Sequence, residues 1–226
     1  MPTFVLNGWA ASPHAWDLCR FSRDFVFSYI DQLDGEPEKA IAEVERCILV
    51  GWSMGGSSAL RLFCRFPRKV AGLVLVAATP RMMVEKESGW VGMSPRRLEA
   101  LRYGVAMTRG EGFFGVPEGR PNPYLADAPE NLARGLKYLF DTDLRPELDS
   151  ATSGTIPVYV FQSERDGIVR AENAAYLKSV FPQANVRVVP GSEHALPIFI
   201  PELIDEAVDS CVRLAASGQD IARPWN

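Results

Sequence analysis

A serine hydroxyl attacks a carbonyl at neutral pH only when a base takes its proton and the backbone holds it in the open. Ser53 lies in Gly51-Trp52-Ser53-Met54-Gly55-Gly56, a match to G-x-S-x-G. In that pattern a tight strand-to-helix turn lifts the serine above a sheet edge, and the glycines let two backbones cross where a Cβ would clash. The chain has only two histidines, His14 and His194. His194 closes the segment Gly191-Ser192-Glu193-His194, directly after the apolar run Val186–Val189, and is the candidate general base. His14 opens the first helical stretch, far from a strand end in the right order, and reads as a surface or capping residue. The base needs a carboxylate to hold its tautomer and stabilise its cation. Asp166, followed by Gly167, turns after the run Pro157–Gln162 and is preferred over Glu164, since Asp-Gly favours a turn. The chemistry these residues could do is acyl transfer from Ser53. Its oxyanion would be held by the backbone N–H of Met54 and by that of Trp9 in Asn7-Gly8-Trp9. Trp9 and Trp52 fit two roles equally, as core packing or as walls binding the acyl group.

These groups need a scaffold that brings distant positions to one edge. Apolar runs at Thr3–Leu6, Phe25–Tyr29, Cys47–Val50, Val70–Ala77, Pro157–Gln162 and Val186–Val189 read as strands. Helical stretches lie between them, at Ser12 to about Arg20, Pro37–Glu45, Ser57–Phe66, near Ala171–Phe181 and at Pro201–Ala216. Val70–Ala77 is apolar throughout, as a strand covered on both faces must be. Strands alternating with helices predict an α/β fold with a mostly parallel sheet of about six strands. Every strand then ends at the same edge, where ligands bind in such folds. Asp31 and Asp34 follow a strand but precede the serine, and read as solvated loop residues. Residues 81–150 break the alternation. They hold helical stretches at about Pro95–Thr108 and Pro129–Phe140, separated by the Gly/Pro-rich loop Gly110–Pro123. This predicts a single domain over 1–226 with a helical cap inserted at about 81–150.

Composition narrows the partners. The 226-residue chain carries a formal charge of -4, so no global basic field for nucleic acid exists. No stretch approaches the roughly 20 apolar residues that span a bilayer, and the N-terminus lacks a basic leader. Cys19, Cys47, Cys64 and Cys211 are scattered without a C-x-x-C pair, which points to a cytoplasmic protein with no metal and no cofactor. The cap departs from the overall charge. Between Arg81 and Arg109 six basic residues face three acidic ones. Arg96 and Arg97 fall in the first turn of the Pro95–Thr108 helix, where cations oppose the helix dipole. Arg102 and Arg109, seven positions apart, would share one face of that helix if it extends so far.

Asn7-Gly8-Trp9, Gly51-Trp52-Ser53-Met54-Gly55-Gly56, Asp166-Gly167 and His194 resemble the α/β-hydrolase superfamily. Within it they look most like the pimeloyl-(acyl-carrier protein) methyl ester esterases of biotin synthesis. Those enzymes share the Gly-Trp oxyanion loop, Gly-Trp-Ser-x-Gly-Gly, and a cap that returns through a segment like Asp143-Leu144-Arg145. The resemblance implies a serine carboxylesterase that hydrolyses the methyl ester of pimeloyl on acyl-carrier protein, without a cofactor. It also implies an acidic carrier as partner, for which Arg96, Arg97, Arg102 and Arg109 are nominated by charge. Three departures stand out. Asn7 replaces the usual His, the first two strands of the usual fold are missing, and Asp31–Glu36 replaces a longer loop. Two other readings use the same residues. One is a broad short-chain esterase or thioesterase, the other a non-catalytic sensor of a small acyl ligand.

Overall fold

The structure, a computed structural model, describes residues 1–110, 114–116, 118–150, 156–191 and 193–217. Six strands form one sheet in the order β2-β1-β3-β4-β5-β6. They are β1 (Thr3–Leu6), β2 (Phe25–Phe27), β3 (Cys47–Trp52), β4 (Val70–Val76), β5 (Val158–Ser163) and β6 (Asn185–Val189). Every pairing is parallel. The register aligns Leu6 with Gly51, Trp52 with Val76, Val76 with Phe161 and Ser163 with Val189. The loops after β1, β3, β5 and β6 therefore leave from one edge.

Alternating side chains give the sheet two apolar faces. Val5, Ile48, Val50, Val74, Val76 and Phe161 pack on one side with Ile204, Ala207 and Cys211 of the C-terminal helix α9 (Pro201–Ser217). Phe4, Leu6, Leu49, Leu73, Leu75 and Val160 pack on the other. There they meet helices α2 (Glu36–Glu43), α3 (Met54–Arg65) and α7 (Asn173–Val180), through Ile41, Leu60 and Leu177. Burial on both faces is why β3 and β4 are apolar along their length.

Several boundaries differ from the sequence reading, each for a local reason. The stretch opened by Ser12-Pro13 is a single 3-10 turn, Pro13–Trp16, and the Ser12 side chain makes no cap. The second strand stops at Phe27 because Ser28 caps a helix that the sequence reading missed, α1 (Tyr29–Leu33). Asp31 is therefore no solvated loop residue. Its carboxylate accepts from the Ser28 backbone while the Ser28 hydroxyl accepts from the Asp31 N–H, a capping box. Asp34 caps the other end of α1 and pairs with Arg134 at 2.6 Å. Helix α3 begins at Met54 rather than Ser57, so the nucleophile candidate sits at the helix N-cap. A four-residue helix, α8 (Leu196–Phe199), was also unanticipated.

Between β4 and β5 the chain leaves the sheet. Helices α4 (Pro95–Thr108) and α5 (Pro129–Asp141), the two helical stretches expected from the sequence, pack together there, and α6 (Arg145–Ser150) is a third. In the intervening loop, residues 111–113 and 117 lie outside the described residues. Where the segment departs and returns, a compact ion cluster ties its two ends. Arg81 pairs with Asp143 and Glu85, and Arg145 pairs with the same two carboxylates at 2.7 and 2.9 Å. The Arg145 guanidinium also lies over the Trp90 ring, 5.0 Å from its centroid.

Hydrogen bonds from Arg145 hold the Asp143 carboxyl down at about 2. A carboxylate depressed below its unfolded value stabilises the fold above that value and loses this contribution as pH falls through the folded one. Asp143→Asn is therefore expected to lower stability by about 1–2 kcal/mol at neutral pH, after allowing for solvent screening. The deficit relative to wild type should vanish between about pH 4 and pH 2. Thermal denaturation at stepped pH reads this directly.

Candidate active site

Strand β3 delivers Ser53 into a conformation that few L-residues adopt, φ 56° and ψ -119°. Such a conformation costs of order 1–3 kcal/mol and persists only where the surroundings enforce it. Enforcement comes from the crossing of α3 over β1. A Cβ on Gly55 would lie 2.0 Å from the Leu6 carbonyl oxygen, so no other residue fits there. The N–H of Ser53 donates to the Val76 carbonyl at 2.9 Å, anchoring the turn to β4.

The three side chains named from sequence meet at this point. His194 Nε2 lies 2.9 Å from Ser53 Oγ, and His194 Nδ1 lies 2.7 Å from Asp166 Oδ2. All three residues are buried. The other carboxylate oxygen of Asp166 accepts from the Ile168 N–H at 2.7 Å and the Val169 N–H at 3.0 Å. Those two bonds aim Oδ2 at the imidazole. The arrangement suits proton transfer from the hydroxyl to Nε2, with Nδ1–H donating to the carboxylate. Glu164, the alternative carboxylate, is exposed and accepts from the Gly191 N–H at 3.0 Å, so it braces the histidine loop from outside. His14 is exposed and contacts Asp17, away from this cluster. Ser192, within the His194 segment, lies outside the described residues.

Two backbone segments border the serine. Met54 is the first residue of α3, where N–H groups have no acceptor within the helix and the dipole is positive. Across from it, a Cβ on Gly8 would lie 3.3 Å from the Cβ of Ser53, so the Gly8 backbone passes close to the nucleophile's side chain. The loop is held from several directions. Trp9 Nε1 donates to the Leu132 carbonyl of α5 at 3.0 Å. Asn7 Oδ1 accepts from Trp16 Nε1 at 2.6 Å, and the Asn7 carbonyl accepts from Gln32 Nε2 at 2.9 Å. The segment between β4 and β5 also pairs with it, since Leu125 N–H donates to Ala10 and Ser12 N–H to Pro123.

Trp9 sits in an apolar cluster under the cap with Tyr29, Met54, Met82, Met93, Leu98, Leu136 and Val169. Trp52 does not. It is completely buried on the opposite side, against Phe114 and His194, and has no surface to offer a ligand. Of its two open roles the structure leaves packing. A cavity of about 390 Å³ reaches His194 between α4 and the loops of Gly167 and Glu193, and its wall includes Arg97, Leu101 and Gly104. The guanidinium of Arg97 lies 3.3 Å from where a Cβ on Gly167 would project.

The four arginines thus separate. Arg97 borders the cavity, while Arg96 is exposed one residue earlier. Arg102 pairs with Glu99 at 2.8 Å and lies over the Tyr103 ring. Arg109 does not share the face of Arg102, because α4 ends at Thr108 and Arg109 turns left-handed with φ 49°. Glu164 and Trp52, both bracing the His194 segment, are supports that sequence reasoning assigned elsewhere.

Comparison with known proteins identifies the family and the fold. A model of the alpha/beta hydrolase family matches residues 6–207. A pimeloyl-(acyl-carrier protein) methyl ester esterase of Nitrosospira multiformis is 28% identical, covering 93% of this chain and 93% of its own. One of Yersinia enterocolitica is 30% identical, covering 90% of each. Among solved structures, an esterase from Exiguobacterium antarcticum superposes with a TM-score of 0.74 at 18% identity, covering 94% of this chain and 92% of its own. A bromoperoxidase from Bacillus anthracis gives 0.70 at 19% identity, covering 94% and 92%. Among the described residues no helix is long and apolar enough to cross a membrane. A family match spanning most of the chain, around a hydrogen-bonded serine, histidine and aspartate at the sheet edge, makes this protein a member of the alpha/beta hydrolase family and a hydrolase.

Proposed function

We propose that the chain is a cytoplasmic serine carboxylesterase that hydrolyses the methyl ester of pimeloyl carried on acyl-carrier protein. The observation that carries the catalytic part is the unbroken series Ser53 Oγ, His194 Nε2, His194 Nδ1, Asp166 Oδ2. The substrate rests on the relatives named for that reaction, and on exposed cations beside the cavity that reaches His194. Four free cysteines suit a reducing compartment.

In this reading Ser53 Oγ attacks the ester carbonyl carbon as His194 takes its proton. The N–H groups of Met54 and Trp9 hold the oxyanion. Collapse breaks the bond to the methoxy oxygen, His194 protonates it, and methanol leaves. Water then gives a proton to His194 and attacks the acyl-enzyme, releasing the free carboxylate and restoring Ser53. Leu101 in the cavity wall lines the acyl side, backed by the apolar cluster that holds Trp9 and Met54. Arg96, Arg97, Arg102 and Arg109 steer the acidic carrier, with Arg97 nearest the cavity.

A broad short-chain esterase is the second reading, favoured by the loss of Arg109 from the helix face and the engagement of Arg102 by Glu99. Complementation of a biotin auxotroph lacking its own esterase tests the first reading. Growth is expected with wild type and not with Ser53→Ala. Reversing Arg96, Arg102 and Arg109 to Glu, none of which lines the cavity at His194, should lower carrier-linked turnover at least about tenfold while leaving small-ester hydrolysis unchanged. Equal effects on both substrates would favour the broad esterase.

A further inference from the structure

We infer that Trp52 is a positioning residue for His194, locking the base's loop to the strand that carries the nucleophile. Trp52 precedes Ser53 in β3, so its backbone moves with the nucleophile. Its indole Nε1–H crosses 142 positions of sequence to donate to the His194 carbonyl at 3.0 Å. The indole plane also lies against the imidazole, with centroids 5.7 Å apart and 40° between planes. Behind it, Phe114 packs on the same ring at 5.5 Å, and the Phe114 carbonyl accepts from the Ala195 N–H at 3.1 Å. One buried side chain therefore joins the nucleophile's strand, the base's main chain, the base's ring and a residue of the cap.

The hydrogen bond is not needed merely to satisfy a buried carbonyl. The same His194 oxygen also accepts from the Leu196 N–H at 2.9 Å. Deleting the indole donor leaves that acceptor paired, so the cost to folding is small. What is lost is a directional tether. His194 stands in a loop, and Asp166 restrains only its Nδ1 end. Misplacement of a reacting group by about 1 Å can cost a hundredfold in rate.

The proposal rests on the reading of Ser53, His194 and Asp166 as the catalytic set. Two replacements probe it, Trp52→Phe and site-specific exchange of Trp52 for 3-benzothienylalanine, which keeps the bicyclic shape without the N–H. Hydrolysis of p-nitrophenyl butyrate should show kcat reduced about tenfold or more with KM within twofold in both proteins. The melting temperature should stay close to wild type in the isosteric benzothienyl protein, while the void left by Trp52→Phe lowers it. The low-field proton resonance of the His194–Asp166 hydrogen bond should broaden or disappear in both proteins. Should Trp52→Phe fail to fold, the isosteric exchange decides alone. Unchanged kcat and an unchanged resonance in the benzothienyl protein would reduce Trp52 to packing and overturn the proposal. Ser53→Ala, assayed alongside, separates the two ideas. Activity retained there overturns the catalytic set itself, whereas its loss beside an unimpaired Trp52 variant overturns only the tether.

Discussion

Purified Ser53→Ala should hydrolyse p-nitrophenyl butyrate with kcat lower by about 10⁴–10⁶-fold, and with KM changed by no more than a few fold. The substitution is clean for a structural reason. Alanine keeps the Cβ that packs near Gly8, and the backbone strain at φ 56° is the same for both residues. The hydroxyl's one hydrogen bond in the cluster is to His194, so its loss leaves the Asp166–His194 pair in place. The backbone of Met54 and of the Gly8-Trp9 loop, proposed to hold the oxyanion, is untouched by the change. Activity above the uncatalysed rate should accordingly persist at a low level, as oxyanion donors and binding act without the nucleophile. Wild type should take up one equivalent of an organophosphonate, located on the Ser53 peptide by mass. The variant should take up none, and its melting curve should overlay that of wild type. Phosphonylation at another residue, or turnover within tenfold of wild type, would assign the chemistry elsewhere.

The convergence of Ser53, His194 and Asp166 is legible in the sequence because each member sits next to a local signal. Gly51 and Gly55 mark a crossing, Asp166-Gly167 marks a turn, and His194 follows a strand. Their convergence needs only one global fact, that all strands are parallel and so share an edge. Supports formed across long separations are not legible this way. The tether from Trp52 to His194, and the Arg81–Asp143–Arg145 cluster, depend on partners that no local pattern names. For Trp52 the sequence leaves packing and ligand contact equally open, and only its burial against Phe114 separates them. Helix α1 is a different case, since Ser28-Tyr29-Ile30-Asp31 carries a capping signal that the neighbouring apolar run Phe25–Tyr29 masked. The face shared by Arg102 and Arg109 failed at a boundary. Where a helix stops depends on its cap, and Arg109 adopts the left-handed turn that Gly110 then continues.

Asp166→Asn is expected to lower kcat by about 10³–10⁴-fold while the fold survives. The geometry explains how so small a change does this. Oδ1 of Asp166 accepts two backbone N–H groups, from Ile168 and Val169, and an amide can satisfy both only by turning its oxygen toward them. Its NH₂ must then face His194 Nδ1, which is forced to accept. The imidazole is left with its proton on Nε2, the atom that must be vacant to take the proton of Ser53. The opposite flip would leave an amide NH₂ against two N–H donors in a buried site, at a cost that excludes it. Glu164→Gln is the matched control, because that side chain is exposed and, among the described residues, accepts from the Gly191 N–H alone. An amide oxygen accepts that bond as well, so kcat should stay within about threefold of wild type. Steady-state kinetics of the two variants side by side distinguish the carboxylates, with the resonance of the Nδ1 proton as a second readout that Asp166→Asn alone should abolish. A deep loss in Glu164→Gln paired with near-normal turnover in Asp166→Asn would reverse the assignment. It would also require the histidine loop to rearrange, since here the exposed Glu164 accepts from the Gly191 N–H while the imidazole Nδ1 faces Asp166.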